Sequence, residues 1–100
     1  MSLRALIIHA KDNVVNLIGT GRQGESVSCA LEGQQETCSI TLRDDIPANH
    51  KFARRDIRAG ESIIKYGQNM GRACCDIRQG QHVHVHNIES NRGRGDLQRG

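Results

Sequence analysis

The sequence predicts an all-β domain of short strands, and three observations carry that expectation. Eleven glycines in 100 residues, with two aromatic side chains, call for frequent tight turns rather than long helices. Asp56-Ile57-Arg58-Ala59-Gly60-Glu61-Ser62-Ile63 returns twenty residues later as Asp76-Ile77-Arg78-Gln79-Gly80-Gln81-His82-Val83. A glycine-ended turn followed by a strand-like run is therefore used twice, which implies paired structural units. The second copy runs on into His82-Val83-His84-Val85-His86-Asn87, where three of the five histidines alternate with β-branched valines at the period of a strand.

Taken in order, residues 3–9 (LRALIIH) read as a first strand and Ala10-Lys11-Asp12-Asn13 as a polar turn. Residues 13–17 fit either a second strand or one helical turn. Gly19, Gly21 and Gly24 then make a flexible connection. Residues 26–31 and 36–42, rich in Ser, Thr, Val, Ile and Cys, flank Glu32-Gly33-Gln34-Gln35 and form a hairpin. Pro47, the single proline, fixes the backbone ahead of Asn49-His50-Lys51. Residues 62–67 make a strand with Ser62, Ile64 and Tyr66 on one face and Ile63 and Lys65 on the other. Asp56 and Asp76 hold equivalent places in the two copies and are expected to brace turns. Residues 1–88 form the domain. Beyond them, 89–100 lose all apolar period and read as a flexible tail, or as a segment ordered by a partner.

One hundred residues make a single domain whose core is too small to enclose a large active site unaided. Phe52 and Tyr66 are its aromatics, so Val, Ile, Leu and Ala must build that core, and a partner chain would widen a thin stability margin. A net charge of +3, scattered along the chain without aromatic platforms, argues against nucleic acid and suits small anions such as carboxylates better. Cys29, Cys38, Cys74 and Cys75 contain no Cys-x-x-Cys pair, and the adjacent Cys74 and Cys75 are too constrained to bridge each other comfortably. The first apolar run is too short for a signal peptide or a membrane span. A reduced, cytoplasmic protein with buried or inert thiols and no membrane role is expected.

The candidate chemistry lies in 46–88. On a strand, His82, His84 and His86 would share one face and Val83 and Val85 the other. Alternate residues stand roughly 6–7 Å apart, and a metal–nitrogen bond of about 2.0–2.1 Å leaves imidazoles room to lean onto one ion. Neutral imidazole also suits proton transfer near pH 7. The same pattern fits a solvated strand face whose histidines are spectators. His50 and Lys51 after a rigid turn form a possible anion-binding or acid–base pair. Lys65 is a second residue that could reach a ligand.

His50-Lys51-Phe52-Ala53, Asp56-Ile57, Gly60, Ile64-Lys65-Tyr66-Gly67, Gly71, Asp76-Ile77, Gly80 and His82-Val83-His84-Val85-His86-Asn87 together resemble the altronate dehydratase family. The likeness is to its N-terminal SAF domain, here as a free-standing small subunit, and it includes the opening Ile7-Ile8-His9-Ala10-Lys11-Asp12-Asn13-Val14. Asn49 departs from the glycine usual before the His-Lys pair, although asparagine tolerates the same backbone angles better than most residues. The resemblance implies a small β-clip fold and a hydro-lyase that removes water from a sugar acid such as altronate, giving a 2-keto-3-deoxy acid. It implies ferrous iron as cofactor and a large dehydratase subunit that completes the site. His84, His86, His50 and Lys51 become the catalytic candidates, with His84 and His86 as metal ligands and Lys65, Asn87 and His82 as substrate contacts. The alternatives are a non-catalytic SAF module that binds a ligand or stabilises a partner, the small subunit of a sulfolactate sulfo-lyase, and a stand-alone metal-binding protein.

Overall fold

The computed structural model describes residues 3–34 and 37–89. These residues form nine strands: β1 (Leu3–Ile7), β2 (Val14–Ile18), β3 (Ser26–Leu31), β4 (Thr37–Thr41), β5 (Lys51–Ala53), β6 (Ser62–Lys65), β7 (Gln68–Ala73), β8 (His82–Val83) and β9 (Ile88–Glu89). The all-β expectation holds. Six strands make one curled sheet in the order β4-β3-β1-β2-β5-β8, and β6-β7-β9 make a second. Only β1 and β3 run parallel; the other pairs are antiparallel. Among the described residues no helix is long and apolar enough to cross a membrane.

Strand alternation decides what is buried. Ala5 and Ile7 of β1, Leu17 of β2 and Val27 and Cys29 of β3 turn inward with Ile40, Leu42, Ile46 and Phe52 as one apolar cluster. Val14, Ala53, Ile57, Ile63, Ala73, Ile77 and Val83 make a second cluster, where β6 and β7 cover part of the other face of the large sheet. Aliphatic residues supply both, as the scarcity of aromatics requires, with Phe52 the largest buried side chain.

The repeated turn occurs four times rather than twice. Arg22–Glu25, Pro47–His50, Arg58–Glu61 and Arg78–Gln81 each close with the last residue's N–H on the first residue's carbonyl, at 2.9–3.1 Å. The third residue has positive φ in every case: Gly24 (92°), Asn49 (67°), Gly60 (87°) and Gly80 (90°). That is the geometry of a type II turn, which demands glycine or asparagine there. The turns associate in pairs, through mutual backbone bonds of Gly21 with Ile46 and of Ile57 with Ile77. Aspartates then cap across each pair: Asp45 accepts from Gln23 N, Asp56 from Gln79 N and Asp76 from Ala59 N. The bracing expected of Asp56 and Asp76 is present, each on the other copy's turn.

Of the two readings open for residues 13–17 the strand holds, over 14–18. Other expectations are corrected. The connection through Gly21 and Gly24 is an ordered turn, not a flexible one. β8 ends at Val83, because β5 offers only Lys51 and Phe52 as partners; 84–87 form a turn and Val85 is exposed instead of sharing a face with the buried Val83. Tyr66 leaves β6 in the left-handed region (φ 56°), so its ring lies under the Lys65 ammonium rather than on the opposite face. Of the thiols only Cys29 is buried, its pKa pushed up to about 12 chiefly by burial, whereas Cys38, Cys74 and Cys75 are exposed. Glu89 belongs to β9, and the expected tail over 90–100 lies outside the described residues, as do Gln35 and Glu36 of the hairpin.

Gly60 and Gly80 separate two effects of one substitution. A Cβ at Gly60 meets nothing, while one at Gly80 collides with the Thr41 carbonyl oxygen. Gly60→Ala should cost about 1–2 kcal/mol from the left-handed backbone alone. Gly80→Ala should cost about 2–5 kcal/mol once overpacking is added. Urea denaturation of the two variants checks the order, and equal losses would contradict this packing.

Candidate functional site

The site begins with an exception among the four turns. In three of them the last side chain hooks back onto the first residue's N–H: Glu25 on Arg22, Glu61 on Arg58 and Gln81 on Arg78. The Pro47 turn offers no N–H, so His50, at the equivalent place, is released from that task. Its Nδ1 lies 2.8 Å from His82 Nε2, a hydrogen bond whose direction depends on the tautomers. Its ring also stacks on His84, with centroids 4.2 Å apart.

β8 and the turn after it supply the other imidazoles. His82 pairs with Phe52 of β5, and its backbone N–H is held by Asp44 Oδ2 at 3.0 Å. The buried Asn87 closes the turn: its Oδ1 accepts from His84 N at 3.0 Å and its Nδ2 donates to His82 O at 2.8 Å. His50, His82 and His84 thereby present one nitrogen each within 4.8 Å of one another. His86 is exposed and sits beside His82, centroids 5.2 Å apart, outside this trio. Asn87, expected to touch substrate, uses one bond at each amide atom to hold the turn and so positions the histidines.

Two lysines extend the site. Lys51 of β5 lies opposite Val83 on one side and Asn16 on the other. Burial and then the charge of Lys65 lower its pKa. Lys65, with its Nζ 4.8 Å from the Tyr66 ring centroid, lines a groove of about 250 Å³ that Asn16 and Tyr66 share. Asn16, absent from the sequence-derived candidates, holds a buried Oδ1 without a hydrogen-bond partner. No motif marks it; its place opposite Lys51 follows only from the β2–β5 register.

Crowded positive groups resist protonation. His82 is lowered from its usual 6.5 by burial, then by His50, His86 and His84, with Asp44 opposing. His84 is lowered by partial desolvation, then by His50, Lys51 and His86. Neutral imidazoles within 4.8 Å of one another would draw in to hold a cation, since two nitrogens on adjacent positions of an octahedral ion would lie about 3 Å apart with bonds of about 2.1 Å. They equally fit proton transfer.

Residues 3–91 match the family described as the altronate/galactarate dehydratase SAF domain. The chain belongs to that family. It is 35% identical over 88 residues to the (2R)-sulfolactate sulfo-lyase subunit alpha of Chromohalobacter salexigens, covering 86% of this chain and 94% of that protein. It is 43% identical over 84 residues to the altronate dehydratase of Escherichia coli K12, and 38% over 84 residues to that of Bacillus subtilis 168. Each of those matches covers 84% of this chain and spans only 16% of the dehydratase. The SAF domain's relatives are thus lyases, in which it stands either as a separate subunit or as a small part of a longer chain.

The histidines give a signed pH dependence. Because His82 and His84 bind protons less readily in the folded chain, stability is intact above the unfolded pKa of 6.5 and is lost as the pH falls below it, through the lowered folded values. Glu61, held low chiefly by the Arg58 N–H, acts in the same direction but only below its usual 4.5. The melting temperature should therefore be lower at about pH 5.5 than at about pH 7.5, and His84→Asn should shrink the difference. An identical difference in the variant would separate His84 from the effect. Asn87→Ala should cost about 1–3 kcal/mol in urea denaturation, because the His82 carbonyl and the His84 N–H lose their partner.

Proposed function

We propose that this chain is the small subunit of a sugar-acid dehydratase, completing the active site of a larger lyase chain. The observation that carries the reading is the convergence of His50, His82 and His84, with Lys51 within electrostatic reach of His84 and Lys65 within reach of Lys51. Dehydration of an aldonate or aldarate needs a base for the hydrogen next to the carboxylate, positive charge for the enediolate that follows, and an acid for the departing hydroxide. Lys51 and Lys65 hold the carboxylate or hydroxyls, and that anion offsets their mutual repulsion. When no metal engages its nitrogen, neutral His84 moves a proton at the pocket edge, with His86 at the rim for exchange with solvent. Asn87 and Asp44 keep the histidine turn in place.

His50, His82 and His84 are the residues that would hold a divalent metal such as ferrous iron, drawing in His84 from the sequence-derived pair and replacing His86. Bound there, the ion would supply Lewis-acid stabilisation of the anionic substrate. A cytoplasmic setting and a role in carbohydrate metabolism accompany this reading.

A sulfo-lyase is the second reading, favoured by the alignment over 94% of a sulfolactate sulfo-lyase subunit. Altronate and sulfolactate share a carboxylate beside a hydroxyl and differ in what leaves the next carbon, hydroxide or sulfite. One lysine pair can therefore serve either reaction by holding the shared part.

Assay of the two-chain enzyme against altronate, galactarate and (2R)-sulfolactate for keto-acid release decides between them. His84→Ala should lower kcat/KM about a hundredfold to ten-thousandfold. Lys51→Met should act mainly through KM. Titration of the isolated chain with ferrous or manganous ion should show one site, lost in His50→Ala. Wild-type turnover in the His84→Ala enzyme would remove that residue from the mechanism.

A further inference from the structure

The second sheet covers only one half of the outer face of the large one. Val14, Ala53 and Val83 lie under it, whereas Leu6 and Ile18 on the same sheet do not. Strand faces that meet water ordinarily carry polar residues at alternate positions. Here Leu6 is 43% exposed and Ile18 62%, with Ala30 beside them and Arg4 and Ser28 completing the lining of a groove of about 350 Å³. The neighbouring groove of Asn16, Lys65 and Tyr66 shares Leu6 and Ile18 with it. One apolar surface thus runs from the middle of the β3-β1-β2 face to Lys65, which lies within electrostatic reach of Lys51. Contiguous apolar surface of this kind marks a protein–protein contact.

We infer that the larger lyase chain docks on this face, seating apolar side chains over Leu6 and Ile18 and a carboxylate against Arg4, and that docking closes the Lys51/Lys65 end of the site. The inference rests on the subunit reading above and adds the surface. Two other occupants fit less well. Residues 90–100 carry one large apolar side chain, Leu97, among arginines, glycines and polar groups, and they follow β9 in the other sheet. A second copy would bring another molecule of net charge +3 to a groove rimmed by Arg4. The larger chain has the required scale: the domain is only 16% of an altronate dehydratase, and as a separate relative it is named as one subunit. Continuity with the lysines also gives that chain access to the bound carboxylate.

The test co-produces this chain with the altronate-dehydratase-type large chain of the same organism and measures their affinity by calorimetry. Leu6→Thr/Ile18→Thr places residues of high strand preference on solvent-facing strand positions, so the fold and metal titration at the histidines should be unchanged. The dissociation constant should rise about tenfold or more, and Arg4→Glu should raise it as well. Unchanged affinity in the folded double variant overturns the docking face while leaving the subunit reading intact. Failure of the wild-type chain to bind the large chain overturns both. A wild-type homodimer that the double variant dissociates assigns the face to a second copy and overturns the inference.

Discussion

Asn13 sets the geometry on which the site depends. It is fully buried, and every polar group it carries is used, three of the four across the two sheets. Its side chain donates to Ser62 O and accepts from Ile64 N, both at 2.8 Å. Its backbone N–H donates to Ile64 O, and its carbonyl accepts from Arg54 N just beyond β5. Next to it, Asp12 accepts from Gly67 N through Oδ1. Lys65 and Tyr66 are therefore fixed from both sides by two consecutive residues at the entry to β2. The apolar cluster of Val14, Ala53, Ile63 and their neighbours supplies attraction between the sheets but little register. Directional bonds to a buried amide supply the register, and they are costly to leave unmade. Lys65 comes within electrostatic reach of Lys51 because of that clamp.

The other half of the site depends on the repeated turn and on its one variation. A turn whose last side chain braces its own first N–H is self-contained and rigid, and that arrangement occurs at Glu25, Glu61 and Gln81. Proline at position 47 removes the donor, so the side chain at position 50 acquires freedom to act outside the turn. Asn49 keeps the positive φ that the turn demands. Scaffold and site are therefore the same unit, differing by a single missing hydrogen. The pairing of turns by crossed aspartates holds the Ile57 and Ile77 units together, and the Ile77 unit leads directly into β8.

What could be read from the chain follows from which constraints are local. The hairpin, the first strand, the all-β class and the turn copies at Asp56 and Asp76 show themselves through period and glycine. The copies at Thr20-Gly21-Arg22-Gln23-Gly24 and Asp45-Ile46-Pro47-Ala48-Asn49 are harder to see, because one lacks aspartate and isoleucine and the other has asparagine where glycine is expected. The histidines were legible as a group but not as a strand. Alternation continues through Val85, yet the ladder stops at Val83 for want of a longer β5, a limit set by residues thirty positions away. Even so, the tight turn keeps His82 and His84 near each other, with centroids 5.7 Å apart. Asn13, Asn16 and Asp44 escaped notice for a similar reason: lone polar residues whose roles arise from sheet register and long-range contacts carry no pattern along the chain.

The electrostatics of the site join its acid sensitivity to its ligand chemistry. Four imidazoles and two lysines are drawn together, while the one carboxylate bonded to a histidine of the cluster, Asp44, is engaged by the His82 backbone. Burial first, and then the like charges that protonation would add, make His82 and His84 favour their neutral forms. Those are also the forms that would ligate a cation, so the metal proposed there would compete with protons for the same nitrogens. The lysines complement it at the other end: an anion near Lys51 and Lys65 offsets the repulsion that lowers the Lys51 pKa. A cation at the histidines and an anion at the lysines, as proposed, would each reduce the unfavourable charge the other meets, which would couple their binding through the field alone.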